Sequence, residues 1–235
     1  RHRKLYFPIL VCLDSNIYHS TRRYRFNWYS FSNIITNVGT MWNYKTPGIP
    51  DDDFERSENV PITKEEVRVI QISKARLCPG YTVYDIGCGS GSISIESAIQ
   101  VESGKVIAID YDPNAIELTK KNIEKFGLTN ISVILANAKE KISELGQADA
   151  IFIGGTGGDT EEIVKLCQDK LKSGGRIVIG IILIETLYSV LQVLEKLQFD
   201  SVDITQVTIS KSRKTSKGTM MLARNPVTII SATKI

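Results

Sequence analysis

The sequence has few of the residues that most often carry metal or redox chemistry. Its two histidines, His2 and His19, both lie within the first 40 of 235 residues, and its four cysteines form no C-x-x-C pair. The lack of histidine after residue 40 excludes a histidine base or a histidine metal ligand from the rest of the chain. Scattered cysteines argue against a disulfide framework or a zinc site and favour a reducing compartment, here the cytoplasm. We therefore expect no metal.

Long apolar runs are also missing. No apolar segment approaches the roughly 18 residues that a membrane span requires. The composition, with 42% hydrophobic and 23% charged residues, is that of an ordinary globular protein. A chain of 235 residues fits one large domain with a small appendage. We expect no contact with a membrane.

Excess positive charge is confined to the start of the chain. Residues 1–40 contain six basic residues and one acidic residue, which leaves 23 basic and 25 acidic residues, a net charge of −2, in residues 41–235. This near-neutral remainder lacks the basic signature of nucleic-acid binding. We expect residues 1–40 to be an extension, with Met41 as a natural initiator, and residues 41–235 to form the main domain. A targeting peptide and a basic nucleic-acid arm are the alternatives for the extension.

Residues 81–91, YTVYDIGCGSG, organise the remaining chain. A short β-prone apolar run ends in closely spaced glycines, and residues 93–101 then resume with helical spacing. A strand, a glycine-rich turn and a helix start in this order form a site for a nucleotide-like ligand, because glycine lets the backbone pass close to the ligand. The glycines are Gly87, Gly89 and Gly91.

The spacing of the motif distinguishes between ligands. A dinucleotide fingerprint requires a third glycine where Ser92 stands. The next strand ends at Asp110, 25 positions after Asp85, and a carboxylate there can accept hydrogen bonds from both ribose hydroxyls. This D-x-G-x-G-x-G pattern with an acidic strand end resembles the class I S-adenosylmethionine-dependent methyltransferases. A dinucleotide site and a purely structural glycine turn are the alternatives.

Strand-like and helix-like segments alternate after the motif. Asp112, Pro113 and Gly127 predict the start and end of one helix. Before the motif, Thr63 and Glu66 form a T-x-x-E capping box that predicts a helix to about residue 77, and the preceding Asp-Asp-Asp is expected to be a solvated turn, with a metal site as the alternative. Later strands are predicted at 131–135, 148–154, 176–183, 200–209 and 219–231.

The loops after the third and fourth strands predict further ligand contacts. Asn137 can accept the adenine amino group through its carbonyl, where methyltransferases often have aspartate, and the backbone of Ala138 can serve the adenine edge. The Gly154–Gly158 loop leaves space and exposes N–H groups, which suits a bulky or anionic substrate, although a flexible turn is the alternative. The polar stretch 210–218 is interpreted as a loop, either solvated or binding carboxylates or RNA phosphates.

Six segments carry a closer resemblance. They are GIPDDDF (48–54), VYDIGCGSG (83–91), AIDYDPNAI (108–116), IFIGGTGG (151–158), LKSGGRIVI (171–179) and KGTMMLARNPV (217–227). Together they resemble the decarboxylating cobalt-precorrin-6B C15-methyltransferases of cobalamin biosynthesis, over roughly residues 48–232. Nothing before Met41 matches.

The resemblance implies an α/β Rossmann-like fold with a mostly parallel seven-stranded sheet, helices on both faces and an antiparallel edge. It implies methyl transfer from S-adenosylmethionine to a tetrapyrrole with loss of carbon dioxide, and a homotetramer. A tRNA base methyltransferase and a non-enzymatic S-adenosylmethionine-binding scaffold are the alternatives; no catalytic residue is assigned. The predicted cofactor contacts are Thr63, Asp85, Gly87, Cys88, Gly89, Ser90, Gly91, Asp110, Asn137 and Ala138. The predicted substrate contacts are Gly155, Thr156, Gly157, Glu185, Arg213, Lys217 and Arg224.

Overall fold

The computed structural model describes residues 42–155, 157–197 and 199–235. The predicted extension at residues 1–40, Met41 and the predicted substrate contact Thr156 lie outside these residues.

Nine strands and six α-helices are assigned within the described residues. The strands are β1 (Thr82–Ile86), β2 (Lys105–Asp110), β3 (Ile131–Leu135), β4 (Ala148–Ile153), β5 (Leu171–Ile181), β6 (Phe199–Val207), β7 (Ser210–Thr215), β8 (Gly218–Ala223) and β9 (Val227–Lys234). The helices are α1 (Glu65–Ala75), α2 (Ser92–Val101), α3 (Pro113–Phe126), α4 (Ala138–Glu144), α5 (Thr160–Lys170) and α6 (Ile184–Lys196).

Seven strands form one sheet in the order β3-β2-β1-β4-β5-β9-β6. Strands β1 to β5 pair in parallel, and β9 pairs antiparallel with both β5 and β6. The predicted mostly parallel seven-stranded sheet is therefore confirmed, and its antiparallel strand lies one position in from the β6 edge.

The centre of the sheet fixes the place of a ligand site. Strands β1 and β4 are almost entirely buried, with apolar side chains that pack on both faces of the sheet. The strand order reverses at β1, since β2 follows it on one side and β4 on the other. Ligands of such sheets bind beyond the carboxyl ends of the strands at this reversal. The loop after β1 and the loop after β4 therefore face the same space.

The predicted capping box at the start of α1 is wrong. Helix α1 begins at Glu65, and no side chain of its own N-cap residue, Lys64, caps it. The Glu65 N–H instead donates to Asp51 Oδ1 at 2.9 Å. Asp51 is 8% exposed, so the expectation of a solvated aspartate turn is also wrong at this position. A cap from a distant segment replaces a local one because residues 51–53 fold back on the helix as a short 3-10 turn.

Two further boundaries differ from the sequence prediction. Strand β5 starts at Leu171 rather than at residue 176. The glycines that we predicted as a turn lie within the strand, where its pairing with β4 shifts register. The loop predicted at 210–218 and the single strand predicted at 219–231 are also wrong. The chain forms the two-stranded β7–β8 hairpin before β9 begins. The predicted caps of α3 at Asp112 and Gly127 are confirmed.

Among the described residues, no helix is both long enough and apolar enough to cross a membrane.

Candidate functional site

Two glycines of the loop after β1 hold positions that other residues cannot take. Gly87 has φ +74°, and a Cβ on it would lie 2.6 Å from the carbonyl oxygen of Gly155. Gly89 has φ +55°, and a Cβ there would lie 2.7 Å from the carbonyl oxygen of Pro61. Positive φ and close backbone neighbours both require glycine. The loop is thus pressed between the segment before α1 and the loop after β4.

The backbone amides of this loop are already engaged within the protein. Each N–H from Gly87 to Gly91 donates to a protein oxygen. A pyrophosphate-binding loop needs free N–H groups that point at the ligand. The loop therefore does not suit a dinucleotide, which was one alternative. The acceptors are the carbonyl of Ile109 for Gly87 and Cys88, the carboxylate of Asp110 for Gly89, the carbonyl of Pro61 for Ser90 and the carbonyl of Cys88 for Gly91.

A cavity of about 320 Å³ opens beside the loop at the carboxyl ends of the strands. It brings together the ends of β1, β2, β3 and β4, as the topology requires. The predicted contacts on its wall are Gly87, Asp110, Asn137, Ala138, Gly155 and Gly157.

Asp110 ends β2 at the wall of this cavity and is 8% exposed. Its Oδ2 accepts the Gly89 N–H at 2.9 Å, and its Oδ1 accepts the Asp112 N–H at 3.1 Å. A carboxylate oxygen has two lone pairs, so each oxygen can accept one more hydrogen bond. Asp110 is thus held in place by the backbone while it stays able to bind two hydroxyl groups.

Asn137 and Ala138 reach the cavity from the start of α4. The side-chain oxygen of Asn137, Oδ1, accepts the Lys139 N–H at 2.9 Å and so caps the helix. Its predicted hydrogen bond to an adenine amino group would share that oxygen. Ala138 is the first residue of α4, where backbone N–H groups lack a partner within the helix. Its backbone is therefore the simpler partner for an adenine edge.

A second, smaller cavity of about 20 Å³ lies against the same loop. It shares Gly87 with the first cavity. Asp85 contributes to its wall, is 2% exposed and accepts a 2.5 Å hydrogen bond from the Ser94 hydroxyl. Burial raises the pKa of Asp85 to about 6, and the hydrogen bond from Ser94 opposes this rise. The other lining residues are Thr63, Gln71, Cys88, Ile93, Phe152, Ile153, Gly154 and Val178.

Cys88 packs beneath the loop and is 7% exposed. Burial, together with the nearby carboxylate of Asp85, raises the pKa of its thiol far above the ordinary range. A thiol that stays protonated is a packing group rather than a nucleophile.

The charge of the two cavities points to a cationic ligand. Three aspartates line them, and among the described residues neither a lysine nor an arginine does. Asp85 and Asp110 are buried and form no ion pair with a described residue, so they favour a positively charged guest, whereas Asp159 is exposed and pairs with Lys139 at 3.3 Å. A sulfonium with an amino-acid end fits this wall, whereas a pyrophosphate or an RNA phosphate does not. The aspartates are Asp85, Asp110 and Asp159.

Several predicted substrate contacts lie away from these walls. Glu185 is exposed in the first turn of α6, and Arg213 and Lys217 belong to the exposed β7–β8 hairpin. Arg224 lies 3.6 Å from Asp51 Oδ2 and 3.7 Å from Glu66 Oε2, so its charge is already opposed near the start of α1. None of these four residues lines either cavity.

Three polar residues of the cavity walls were missed by the sequence analysis, namely Tyr111, Asp159 and Gln71. Tyr111, 74% exposed, follows Asp110 directly and lines the larger cavity. Gln71 lines the smaller one from α1. A signal existed for Gln71, because it is a polar residue on the buried face of α1, among apolar neighbours such as Val67 and Ile72. No three metal-ligating side chains lie close enough together in the described part of the chain to hold a metal ion.

A family model, a curated relative and two solved structures that resemble this chain all have descriptions that name precorrin. Residues 53–234 match the family model described as "precorrin methyltransferase domain". A Saccharolobus solfataricus protein named "probable cobalt-precorrin-6B C(15)-methyltransferase (decarboxylating)" is 47% identical over 196 residues, which cover 82% of this chain and 98% of the relative.

Two solved structures share the fold and a substantial part of the sequence. One, from Methanobacterium thermoautotrophicum, is described as a precorrin 8w decarboxylase; it is 38% identical with a TM-score of 0.75, over 78% of this chain and 98% of that one. The other, a precorrin-6y C5,15-methyltransferase from Geobacter metallireducens, is 35% identical with a TM-score of 0.76, over 82% of this chain and 100% of that one.

Proposed function

This chain belongs to the precorrin methyltransferase family, and we propose that it transfers a methyl group from S-adenosylmethionine to C15 of cobalt-precorrin-6B. The same enzyme removes the carboxyl group of the C12 acetate as carbon dioxide and yields cobalt-precorrin-7. The observation that carries the proposal is a cleft lined by carboxylates and by no described cation, beside a glycine loop whose amides are all engaged. That lining suits a sulfonium cofactor.

The chain's own residues bind and orient the cofactor. The Asp110 carboxylate holds the ribose hydroxyls in the larger cavity, and the backbone of Ala138 meets the adenine edge. Asp85 and Thr63 line the smaller cavity, which we assign to the amino-acid end of the cofactor. When bound, S-adenosylmethionine supplies an electrophilic methyl group on a positively charged sulfur.

The chemistry demands mainly placement from the protein. C15 belongs to an electron-rich conjugated system, so methyl transfer needs alignment with the carbon–sulfur bond rather than a strong base. Loss of carbon dioxide leaves an electron pair that the macrocycle accepts by conjugation. Both steps are compatible with a domain that has no histidine after residue 40.

Free cations for the substrate lie on the β7–β8 hairpin. A corrinoid precursor carries many carboxylates, and arginine and lysine bind carboxylates strongly. Lys211 is already paired with Glu65 at 2.9 Å and with Glu66 at 2.5 Å. Arg213 and Lys217 form no ion pair with any described residue, and their exposure leaves them available. We assign them to the substrate rim, together with the glycine loop after β4.

Arg213→Ala should raise the KM for the tetrapyrrole several-fold and leave cofactor affinity unchanged, because a single exposed ion pair contributes about 0.2–1 kcal/mol. Steady-state kinetics and calorimetry measure the two quantities. Arg56→Ala, which removes an exposed arginine paired with Asp52, is the matched control. Equal KM values for Arg213→Ala and Arg56→Ala would remove the hairpin from the substrate site.

Asp110→Ala should weaken cofactor binding by about 1–3 kcal/mol, the scale of hydrogen bonds to a charged group. Titration calorimetry measures the loss. Asp200→Ala, at the exposed edge strand β6, should bind the cofactor as the wild type does. Unchanged affinity in Asp110→Ala would reject the ribose contact.

The remaining proposals concern the whole protein. We propose that residues 41–235 form the catalytic domain, that residues 1–40 are dispensable, and that the enzyme acts in the cytoplasm as a homotetramer. A cluster of exposed apolar side chains around the start of α6, namely Ile182, Leu183, Ile184 and Tyr188, supports association between copies. Light scattering of the full chain and of residues 41–235 tests the tetramer.

The reaction is tested with methyl-labelled S-adenosylmethionine and the full chain. Label should pass to cobalt-precorrin-6B and not to tRNA. Transfer to tRNA alone would establish the competing tRNA methyltransferase, for which the net charge of −2 in residues 41–235 gives little support. Cofactor binding without transfer to either acceptor would establish a non-enzymatic scaffold.

A further inference from the structure

Gln71 is a buried polar residue to which the proposed reaction assigns no role. It lies on the inner face of α1, is 6% exposed and lines the smaller cavity with Asp85 and Thr63. Within the described residues its side-chain amide forms no hydrogen bond. The amide atoms keep some solvent access through the cavity, so a ligand group can reach them and supply the missing partner. The amide is therefore poised for a group that enters the cavity.

The surrounding residues make room for this amide. Gly180 of β5 has no side chain, and a Cβ built on it would overlap with Nε2 of Gln71. The amide thus occupies the space that any other residue at position 180 would fill.

The cavity matches a small polar group. Its volume of about 20 Å³ is near that of one water molecule, which excludes a ring or a macrocycle. Its wall combines the Asp85 carboxylate, which accepts, with the Gln71 amide, which can donate and accept. This combination suits one charged group of a zwitterion, and the rest of the amino acid would then lie at the opening of the cavity.

The position of the cavity identifies the molecule that would carry this group. Gly87 belongs to both cavities, so a ligand whose adenosyl part fills the larger one can extend past the loop into the smaller one. We propose that Gln71 binds the amino-acid end of S-adenosylmethionine and thereby distinguishes the complete cofactor from truncated adenosyl thioethers. This assignment rests on the proposed cofactor.

Gln71→Leu tests the assignment by calorimetry on the full chain with two probes. S-adenosylmethionine should bind roughly tenfold more weakly than to the wild type, the scale of one lost hydrogen bond to a charged group. Methylthioadenosine, which has no amino-acid end, should bind equally to both proteins. The ligand-free variant should melt close to the wild-type temperature, because the amide that it removes forms no hydrogen bond within the described residues. Gln168→Leu, a half-buried glutamine on α5, is the matched control.

A second variant tests the same amide by changing Gly180, the residue that leaves space for it. Gly180→Ala should displace the Gln71 side chain and weaken S-adenosylmethionine binding, but it should have little further effect in a Gln71→Ala background, where the overlap is gone.

The possible outcomes separate the two proposals. Wild-type protein that binds neither probe overturns the proposed cofactor and this assignment with it. Normal wild-type binding with equal loss of both probes in Gln71→Leu shows a structural role, and unchanged binding of both shows no role. Either result overturns the assignment of Gln71 alone. A higher KM for the tetrapyrrole with normal cofactor affinity would also overturn it, by moving Gln71 to the substrate.

Discussion

Arg68→Met should lower the free energy of unfolding by about 3–5 kcal/mol, the cost of breaking a buried ion pair by removal of one partner. Arg68 is 0% exposed, and its Nε donates to Glu96 Oε1 at 2.6 Å. Its guanidinium also donates to the carbonyls of Ile49 and Thr63. The guanidinium carbon, Cζ, lies 4.8 Å from the centre of the Phe54 ring. Methionine fills part of the volume but leaves Glu96 charged and buried.

Arg68→Met should also disturb the cofactor site. Arg68 holds the carbonyl of Thr63, which lies two residues after the Pro61 carbonyl that accepts the Ser90 N–H of the glycine loop. Weaker cofactor binding should therefore accompany the lower stability.

Thermal and denaturant unfolding measure the effect of Arg68→Met, with a melting temperature lower by roughly 10 °C for a domain of this size. Arg56→Met is the control, since its ion pair with Asp52 is exposed and should contribute at most about 1 kcal/mol. Adding Glu96→Leu to Arg68→Met should restore part of the stability, because the unpaired carboxylate is then gone. A loss below about 1 kcal/mol in the single variant would show that water or another cation compensates the carboxylates.

Gly87→Ala should lower cofactor affinity more than tenfold, which corresponds to about 1.4 kcal/mol. Alanine at φ +74° is strained by roughly 1–2 kcal/mol, and its Cβ would lie 2.6 Å from the Gly155 oxygen and 2.7 Å from the Gly155 nitrogen. Relief of that overlap must move the loop after β1 or the loop after β4, and both border the larger cavity. The reaction with the substrate should fall at least in parallel.

Gly146→Ala is the matched control for Gly87→Ala, because a Cβ on Gly146 meets nothing within 4 Å. Calorimetry should give the control the wild-type affinity. Wild-type affinity in Gly87→Ala as well would mean that the two loops move apart without cost, and the cofactor would then have to lie elsewhere.

The centre of the site could be predicted because its signals are local. The strand, the glycines and the acidic strand end follow one another within 81–110, so their order alone fixes their relation to the sheet. The caps of α3 were predictable for the same reason, since Asp112 bonds to a neighbour two residues away.

The anchoring of α1 could not be predicted from local patterns. Asp51 replaces the expected Thr63 cap from 14 residues away, and Glu96 bonds to the N–H groups of Gly48 and Ile49 across 48 and 47 residues. A T-x-x-E pattern carries no information about a competing acceptor that only the fold brings close. Gln71 does have a local signal, as a polar residue on the buried face of α1, but the space for its amide depends on the absent Cβ of the distant Gly180.

The prediction of the carboxyl-terminal strands failed for a different reason. Residues 210–223 are exposed on almost every side chain, so β7 and β8 show no alternation of buried and exposed positions. A hairpin held mainly by its own backbone looks like a polar loop in sequence. The insertion of β9 between β5 and β6 is likewise a long-range pairing that no local period encodes.

The most direct measurement is the mass of the product after one turnover of the full chain with cobalt-precorrin-6B and methyl-labelled S-adenosylmethionine. We expect a product that has gained the labelled methyl group and lost one carbon dioxide. Methyl gain without loss of carbon dioxide would contradict the decarboxylating assignment. An unchanged tetrapyrrole beside an intact, bound cofactor would contradict the proposed function as a whole.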